Sequence, residues 1–263
     1  MNLYRKNTER TDGMEFDEKE KQARFAARLS EVFRANGLEK YINDTVADRF
    51  YALTERMLSV NAVMNLTALD TADKIISLHY ADCALVADRF PAGATVADIG
   101  CGGGFPTFPL AILRPDLRIT AIDSTGKKIR YVEETAHLLG LDGIRAVTAR
   151  AEELGKDKNY REAFDAVVSR AVARLEVLDE LCLPLCRVGG TVLFLKGAAG
   201  EAELTQAREG IRRLGGGEAV CEEMTLHTAA DSETRTVITV SKQLPTPAEF
   251  PRQFGQIKKR PLK

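Results

Sequence analysis

The chain has 263 residues, 44% of them hydrophobic, and a formal net charge of −1. That is enough for one substantial core with a smaller accessory unit, and no apolar run has the length of a membrane span. Five cysteines without a CxxC pair suit a reducing compartment, and three histidines (79, 137 and 227) at no metal spacing argue against a zinc site. The N-terminus, MNLYRKNTER, lacks the apolar stretch of a secretory signal, so a cytoplasmic protein is expected.

Residues 1–16 are polar and are expected to form a flexible N-terminus. From 18 to 35, Phe25, Leu29, Val32 and Phe33 recur at helical spacing, with Gly37 as a stop. A second helix over 44–62 carries Val46, Phe50, Leu53 and Met57 on one face. A third, over 72–89, is capped by Thr71. These make a helical cap spanning 17–92. From Ala94 the pattern changes to strand, turn, helix, with strands at 95–99, 118–122, 144–148, 164–168 and 191–195. Two further strands, 219–226 and 235–241, read as a hairpin. Such alternation implies an α/β fold: a mostly parallel, seven-stranded, Rossmann-like sheet over 93–245, with helices on both faces. Cys182 and Cys186, four apart in an apolar helical pattern, read as buried thiols. The last segment, 246–263, holds Arg252, Lys258, Lys259, Arg260 and Lys263. It reads either as a phosphate-binding tail or as an idle solvated terminus.

The first strand ends in Asp98-Ile99-Gly100-Cys101-Gly102-Gly103-Gly104-Phe105, and Asp123 closes the second strand. Glycines at a strand–helix turn let backbone lie against a ligand, and an acid at the end of the next strand can take both hydroxyls of a ribose. A dinucleotide fingerprint would need glycine where Phe105 stands. Asp98 two residues before Gly100 gives instead the D-x-G-x-G-x-G form that resembles motif I of Rossmann-like S-adenosylmethionine (AdoMet) methyltransferases. There an acidic residue can hold water or the cofactor's ammonium. Nicotinamide or flavin binding, and an incidental glycine-rich turn, are the competing readings.

Further segments fall into place around that turn. They are Asn65-Leu66-Thr67-Ala68, His79-Tyr80-Ala81-Asp82, Arg150-Ala151-Glu152-Glu153, Ser169-Arg170-Ala171, Lys196-Gly197 and the closing Lys258-Lys259-Arg260-Pro261-Leu262. Together they resemble the family of ribosomal RNA small-subunit methyltransferase G, from about Phe25 to the terminus. Cys83, Cys101 and Gly103 depart from the family's usual residues without removing a group the chemistry needs. The resemblance implies methylation of guanine N7 in the decoding-region loop of 16S rRNA, with AdoMet as donor and naked rRNA or the small subunit as partner. It also implies that Gly100, Gly102 and Phe105, with Asp98, Gly104 and Ser124 nearby, wrap the cofactor's methionine and ribose. Asp123 would take the ribose hydroxyls, and Ala151-Glu152 the adenine.

Arg170, at the ligand edge of a buried strand, can fork onto a phosphate or the guanine O6, or form a surface salt bridge. It is counted with both the cofactor and the RNA candidates. Lys196 invites the same two readings. Asn65 faces the guanine edge or caps a helix, and His79 reads as a packed helix residue. Neither the [ND]-P-P-[FY] motif of exocyclic-amine methyltransferases nor the Pro-Cys nucleophile of cytosine-C5 enzymes is present. Guanine N7 has a lone pair and no proton, so no catalytic acid, base or nucleophile is assigned. No metal or membrane partner is expected, and a monomer is. A small-molecule methyltransferase, a non-catalytic AdoMet-binding regulatory module and a nicotinamide oxidoreductase remain as alternatives.

Overall fold

Four apolar runs each end at a polar or glycine-rich turn, and each forms a strand buried on both faces: β1 (Thr95–Ile99), β2 (Arg118–Asp123), β4 (Phe164–Arg170) and β5 (Cys186–Gly197). With β3 (Ile144–Thr148), β6 (Gly216–His227) and β7 (Ser232–Lys242) they make one seven-stranded sheet in the order β3-β2-β1-β4-β5-β7-β6. The computed structural model describes residues 4–64, 66–228 and 231–262. β1 through β5 pair in parallel, whereas β7 runs antiparallel to both β5 and β6. This is the expected fold, and the chain reverses direction across the sheet between β1 and β4, where open α/β sheets hold ligands above the strand ends.

Successive strand residues point to opposite faces, and the core divides accordingly. Val96, Ala166, Val168, Leu193 and Leu195 face one layer of helices. It comprises α1 (Tyr4–Ala35), α2 (Asp44–Met64), α3 (Ala72–Ile75), α4 (Asp82–Ala84), α5 (Thr107–Leu113) and α6 (Gly126–Leu138). Ala97, Ile99, Val167, Val192 and Phe194 face the other. That side holds α7 (Ala151–Leu154), α8 (Leu175–Cys182), α9 (Gly200–Arg213) and α10 (Phe254–Lys259).

Four expectations need revision. α1 begins at Tyr4, well before the apolar periodicity that marks it in the sequence. The third helix is not continuous: a π-helical turn over Ile76–Ala81 separates α3 from α4, and a 3-10 turn follows at Ala87–Arg89. Cys182 ends α8 while Cys186 opens β5, so the two buried thiols are not on one helix. The C-terminal segment is no free tail, because Phe250, Ile257 and Leu262 are buried against the second core. Among the described residues no helix is long and apolar enough to cross a membrane, and no His/Cys/Asp/Glu group is placed to hold a metal.

Candidate cofactor and RNA site

The loop after β1 is held open by backbone bonds to the end of β2. Gly100 and Cys101 both donate to the Ile122 carbonyl (2.8 and 3.0 Å), and Gly102 donates to Asp123 Oδ2 at 3.1 Å. Thr125 N–H donates to Asp123 Oδ1 at 2.8 Å, so one carboxylate joins the two loops that frame the site. A carboxylate has about four acceptor positions, and two of these remain for a ligand. Gly100 has φ +73°, and a Cβ there would lie 2.4 Å from Val172 Cγ2. Val172, 42% exposed, thus roofs the glycine turn.

Two cavities flank that roof and share Gly100, Asp123 and Val172. One, of about 190 Å³, lies over Ile99, Ile122 and Ala149 and is closed by Ser124, Ala151, Glu152, Leu181 and Phe254. The other, of about 370 Å³, runs past Cys101, Gly102, Gly103, Phe105, Lys128, His79 and Arg170. The trough so formed matches an elongated ligand with an adenosine at one end and a charged tail at the other. Gly100, Gly102, Phe105, Asp123, Ser124, Ala151, Glu152 and Arg170 all line it.

Asp98 and Gly104 sit beneath the trough instead. Asp98 is fully buried; its Oδ2 accepts from Thr107 N–H (3.2 Å) and Oγ1–H (2.6 Å), while Oδ1 has no partner. Burial pushes its carboxyl up to about 7. It braces the start of α5 and is not aimed at a ligand's ammonium. Gly104 (φ +90°) admits the Phe108 ring, which a Cβ would meet at 2.2 Å.

The far wall is built on the π turn. The His79 ring stacks on Phe105, with centroids 4.1 Å apart and planes at 20°. Arg170 Nη2 donates to His79 Nδ1 (3.1 Å) and to the Leu78 carbonyl (2.9 Å), and Nη1 donates to Cys83 Sγ (3.2 Å). A guanidinium only donates, so Nδ1 must accept, and the ring proton lies on Nε2 facing Thr67 Oγ1 at 2.8 Å. Burial, with Arg170 alongside, holds the imidazole down to about 3. Arg170 also pairs with Asp82 (3.3 Å), whose other oxygen takes Arg235 Nε (2.9 Å). Arg170 is therefore a largely buried clasp between β4 and the π turn, with its side chain at the edge of both cavities. Burial also pushes the Cys83 thiol up to about 12 and Cys101 well above its ordinary value, so neither supplies a thiolate.

The other cationic candidates divide by environment. Lys196 is 8% exposed, donating to the Ala173 carbonyl (2.6 Å) and Glu203 Oε2 (2.8 Å) beside a third cavity of about 460 Å³. That cavity meets the trough at Arg170, Ala171 and Val172. Arg252 forks onto Glu180, through Nε at 2.9 Å and Nη2 at 2.6 Å. Both are committed within the fold. Lys258, Lys259 and Arg260 are exposed at the end of α10. Asn65 lies outside the described residues. Sequence reasoning missed Lys128, Val172, Leu181 and Phe254 as lining residues, because no motif marks them, and it quoted Leu66 within a motif without giving it a role.

Comparison with known proteins gives the chain a family and its fold a set of neighbours. The family model described as rRNA small subunit methyltransferase G matches residues 47–227. "Ribosomal RNA small subunit methyltransferase G" of Deinococcus radiodurans is 42% identical over 217 residues, covering 82% of this chain and 85% of that protein. The protein of the same name from Exiguobacterium sp. is 39% identical over 238 residues, covering 90% and 98%. Among solved structures, an O-methyltransferase from Bacillus cereus in complex with SAH superimposes with a TM-score of 0.50 at 20% identity, over 73% of this chain and 91% of that one. M. jannaschii TYW2 in complex with AdoMet has a TM-score of 0.50 at 15% identity, over 62% and 75%. These two likenesses concern the fold, whereas the sequence matches fix the lineage: the chain belongs to the rRNA small subunit methyltransferase G family.

Proposed function

We propose that this protein transfers the methyl group of AdoMet to N7 of a guanine in the decoding-region loop of 16S rRNA. As a member of its family it is an AdoMet-dependent rRNA methyltransferase, with ribosomal RNA as substrate and the cytoplasm as its place of work. The observation that carries the cofactor assignment is Asp123. Its carboxylate is fixed by two backbone N–H groups at the crossover point of the sheet, with acceptor capacity left over opposite a glycine turn. In this reading Asp123 holds the ribose, Ala151 and Glu152 meet the adenine, and Gly100, Gly102 and Phe105 follow the methionine. When bound, AdoMet supplies a sulfonium-activated methyl group.

The residues around the trough suit a reaction that moves no proton. His79 is neutral with both ring nitrogens engaged, Asp98 is sealed beneath the loop, and the thiols are protonated. Guanine N7 offers a lone pair without a proton, so no general base is required. What the chain contributes is alignment and exclusion of water. The shared edge of the trough and the 460 Å³ cavity, at Arg170–Val172, is the place for the base to approach. An unpaired guanine suits that approach, since specific RNA recognition uses splayed, single-stranded bases.

The test is transfer of tritium from labelled AdoMet to small ribosomal subunits from cells lacking this gene. Wild-type subunits serve as control, and the label is located by reductive cleavage at N7-methylguanine. One cleavage in the decoding-region loop, confined to the unmodified subunits, is expected. Labelling of free nucleotides and not of subunits would point to a small-molecule methyltransferase instead.

A further inference from the structure

The apolar end of the trough contains an aromatic ring that no motif announces. Phe254, the first residue of α10, faces Ala151, Glu152 and Leu181 across the cavity of about 190 Å³. It is only half-buried, although it packs against the second core. Its neighbours on either side are tied down. Arg252 gives Glu180, itself 0% exposed, a backbone N–H at 2.7 Å in addition to its guanidinium fork. Ile257 is fully buried. The ring is thus presented to an apolar slot by an anchored turn.

We propose that Phe254 is a positioning residue that stacks on the adenine of the cofactor, and that α10 thereby couples RNA contact to cofactor binding. The inference rests on the reading of the trough as the AdoMet site. The chemistry of the slot fits a planar base bearing an exocyclic amine. Ile99, Ile122 and Ala149 give an apolar floor, Leu181 and Phe254 close the outer side, and Glu152 offers a carboxylate at the rim. A π-face wall favours an aromatic heterocycle over an aliphatic chain. The far end of the same six-residue helix carries Lys258 and Lys259, followed by Arg260. All three are exposed, and none is ion-paired within the described residues. RNA phosphates drawn to these cations would add to the anchoring that Arg252 and Ile257 already give α10, and so to the placement of the ring. Coupling of this kind is reciprocal, so each ligand tightens the other by the same factor.

The experiment is calorimetric titration of the full chain with S-adenosylhomocysteine, a probe that does not turn over, with and without small ribosomal subunits. Phe254→Ala is expected to weaken binding about fivefold or more, the low end of what one base–aromatic stack contributes. Phe254→Tyr should retain affinity, and Phe254→Leu, which preserves bulk without a ring face, should fall between. The unliganded thermal transition should hardly move for Phe254→Tyr and Phe254→Leu, which keep the packing against the second core. An unchanged dissociation constant in both Ala and Leu variants overturns the stacking role. Subunits should tighten probe binding to the native chain several-fold and should do so less for Phe254→Ala; equal tightening in both overturns the coupling. Asp123→Ala is the reference. If it weakens binding while Phe254→Ala does not, the wall assignment fails and the cofactor site stands. If neither matters, the cofactor reading itself is wrong.

Discussion

Asp123 and His79 stand on opposite walls of the trough and are tuned in opposite ways. Asp123 remains partly exposed, and its two backbone contacts orient the carboxylate without exhausting it. Asp123→Ala should weaken AdoMet binding by about 1.5–3 kcal/mol, the worth of hydrogen bonds to a charged group, as measured by titration calorimetry. His79 is a neutral spacer whose folded-state pKa is near 3, against an ordinary 6.5. Above pH 6.5 neither the folded nor the unfolded chain protonates it, and its packing against Phe105 and Arg170 contributes in full. As pH falls below 6.5 the unfolded chain gains a proton that the native site refuses, and stability drops until about pH 3. His79→Gln should flatten the fall in urea-unfolding free energy between pH 6.5 and 5; an unchanged slope would remove the buried imidazole as its source. Asp98 works in the other direction. Its carboxyl, raised to about 7, makes the native state the better proton binder above pH 3.8, and its burial costs stability as pH rises towards 7.

The elements were legible in proportion to how locally they are determined. Strands buried on both faces are continuous apolar runs closed by glycine or charge, which is why β1, β2, β4 and β5 can be placed from sequence. The π turn over Ile76–Ala81 cannot, because nothing in those residues specifies it. It coincides with contacts made from afar: Phe105 under His79, and Arg170 on the Leu78 carbonyl. The partners of Arg170 cannot be read from the sequence for the same reason, since Asp82, Cys83 and His79 belong to a different helix segment. Arg170→Ala should cost about 3–5 kcal/mol of stability, because Asp82 then keeps only Arg235 and buried acceptors are left open. A chemical-denaturation midpoint close to the native one would restore Arg170 to a purely ligand-binding role. The glycine turn, by contrast, is set by its own residues. Gly104→Ala would force a Cβ to 2.2 Å from the Phe108 ring at φ +90°. About 1–3 kcal/mol of destabilisation in thermal melts is expected from the overpacking.

For the molecule as a whole, a net charge of −1 conceals a division that only the fold makes visible. The six-residue α10 is too short, and its buried anchors Phe250, Ile257 and Leu262 too sparse, for periodicity to announce that the basic C-terminus is packed down. Sequence alone treats Lys196, Arg252, Lys258, Lys259 and Arg260 as equals. In the fold, Lys196 neutralises Glu203 and Arg252 neutralises Glu180, so neither can release counterions from RNA without first breaking a partly buried ion pair. The three exposed cations at the end of α10 have no such commitment. Counterion release makes this distinction measurable, because each phosphate contact to a single strand adds about 0.7 to the slope of log affinity against log salt. Replacing Lys258, Lys259 and Arg260 together with alanine should lower that slope by up to about 2, by the same rule, while leaving the melting temperature unchanged. Lys196→Ala should do the reverse, lowering the melting temperature through the stranded Glu203 and leaving the slope alone. A slope that responds to Lys196 and not to the α10 cations would place the RNA path over the 460 Å³ cavity at β5 instead of across the C-terminal helix.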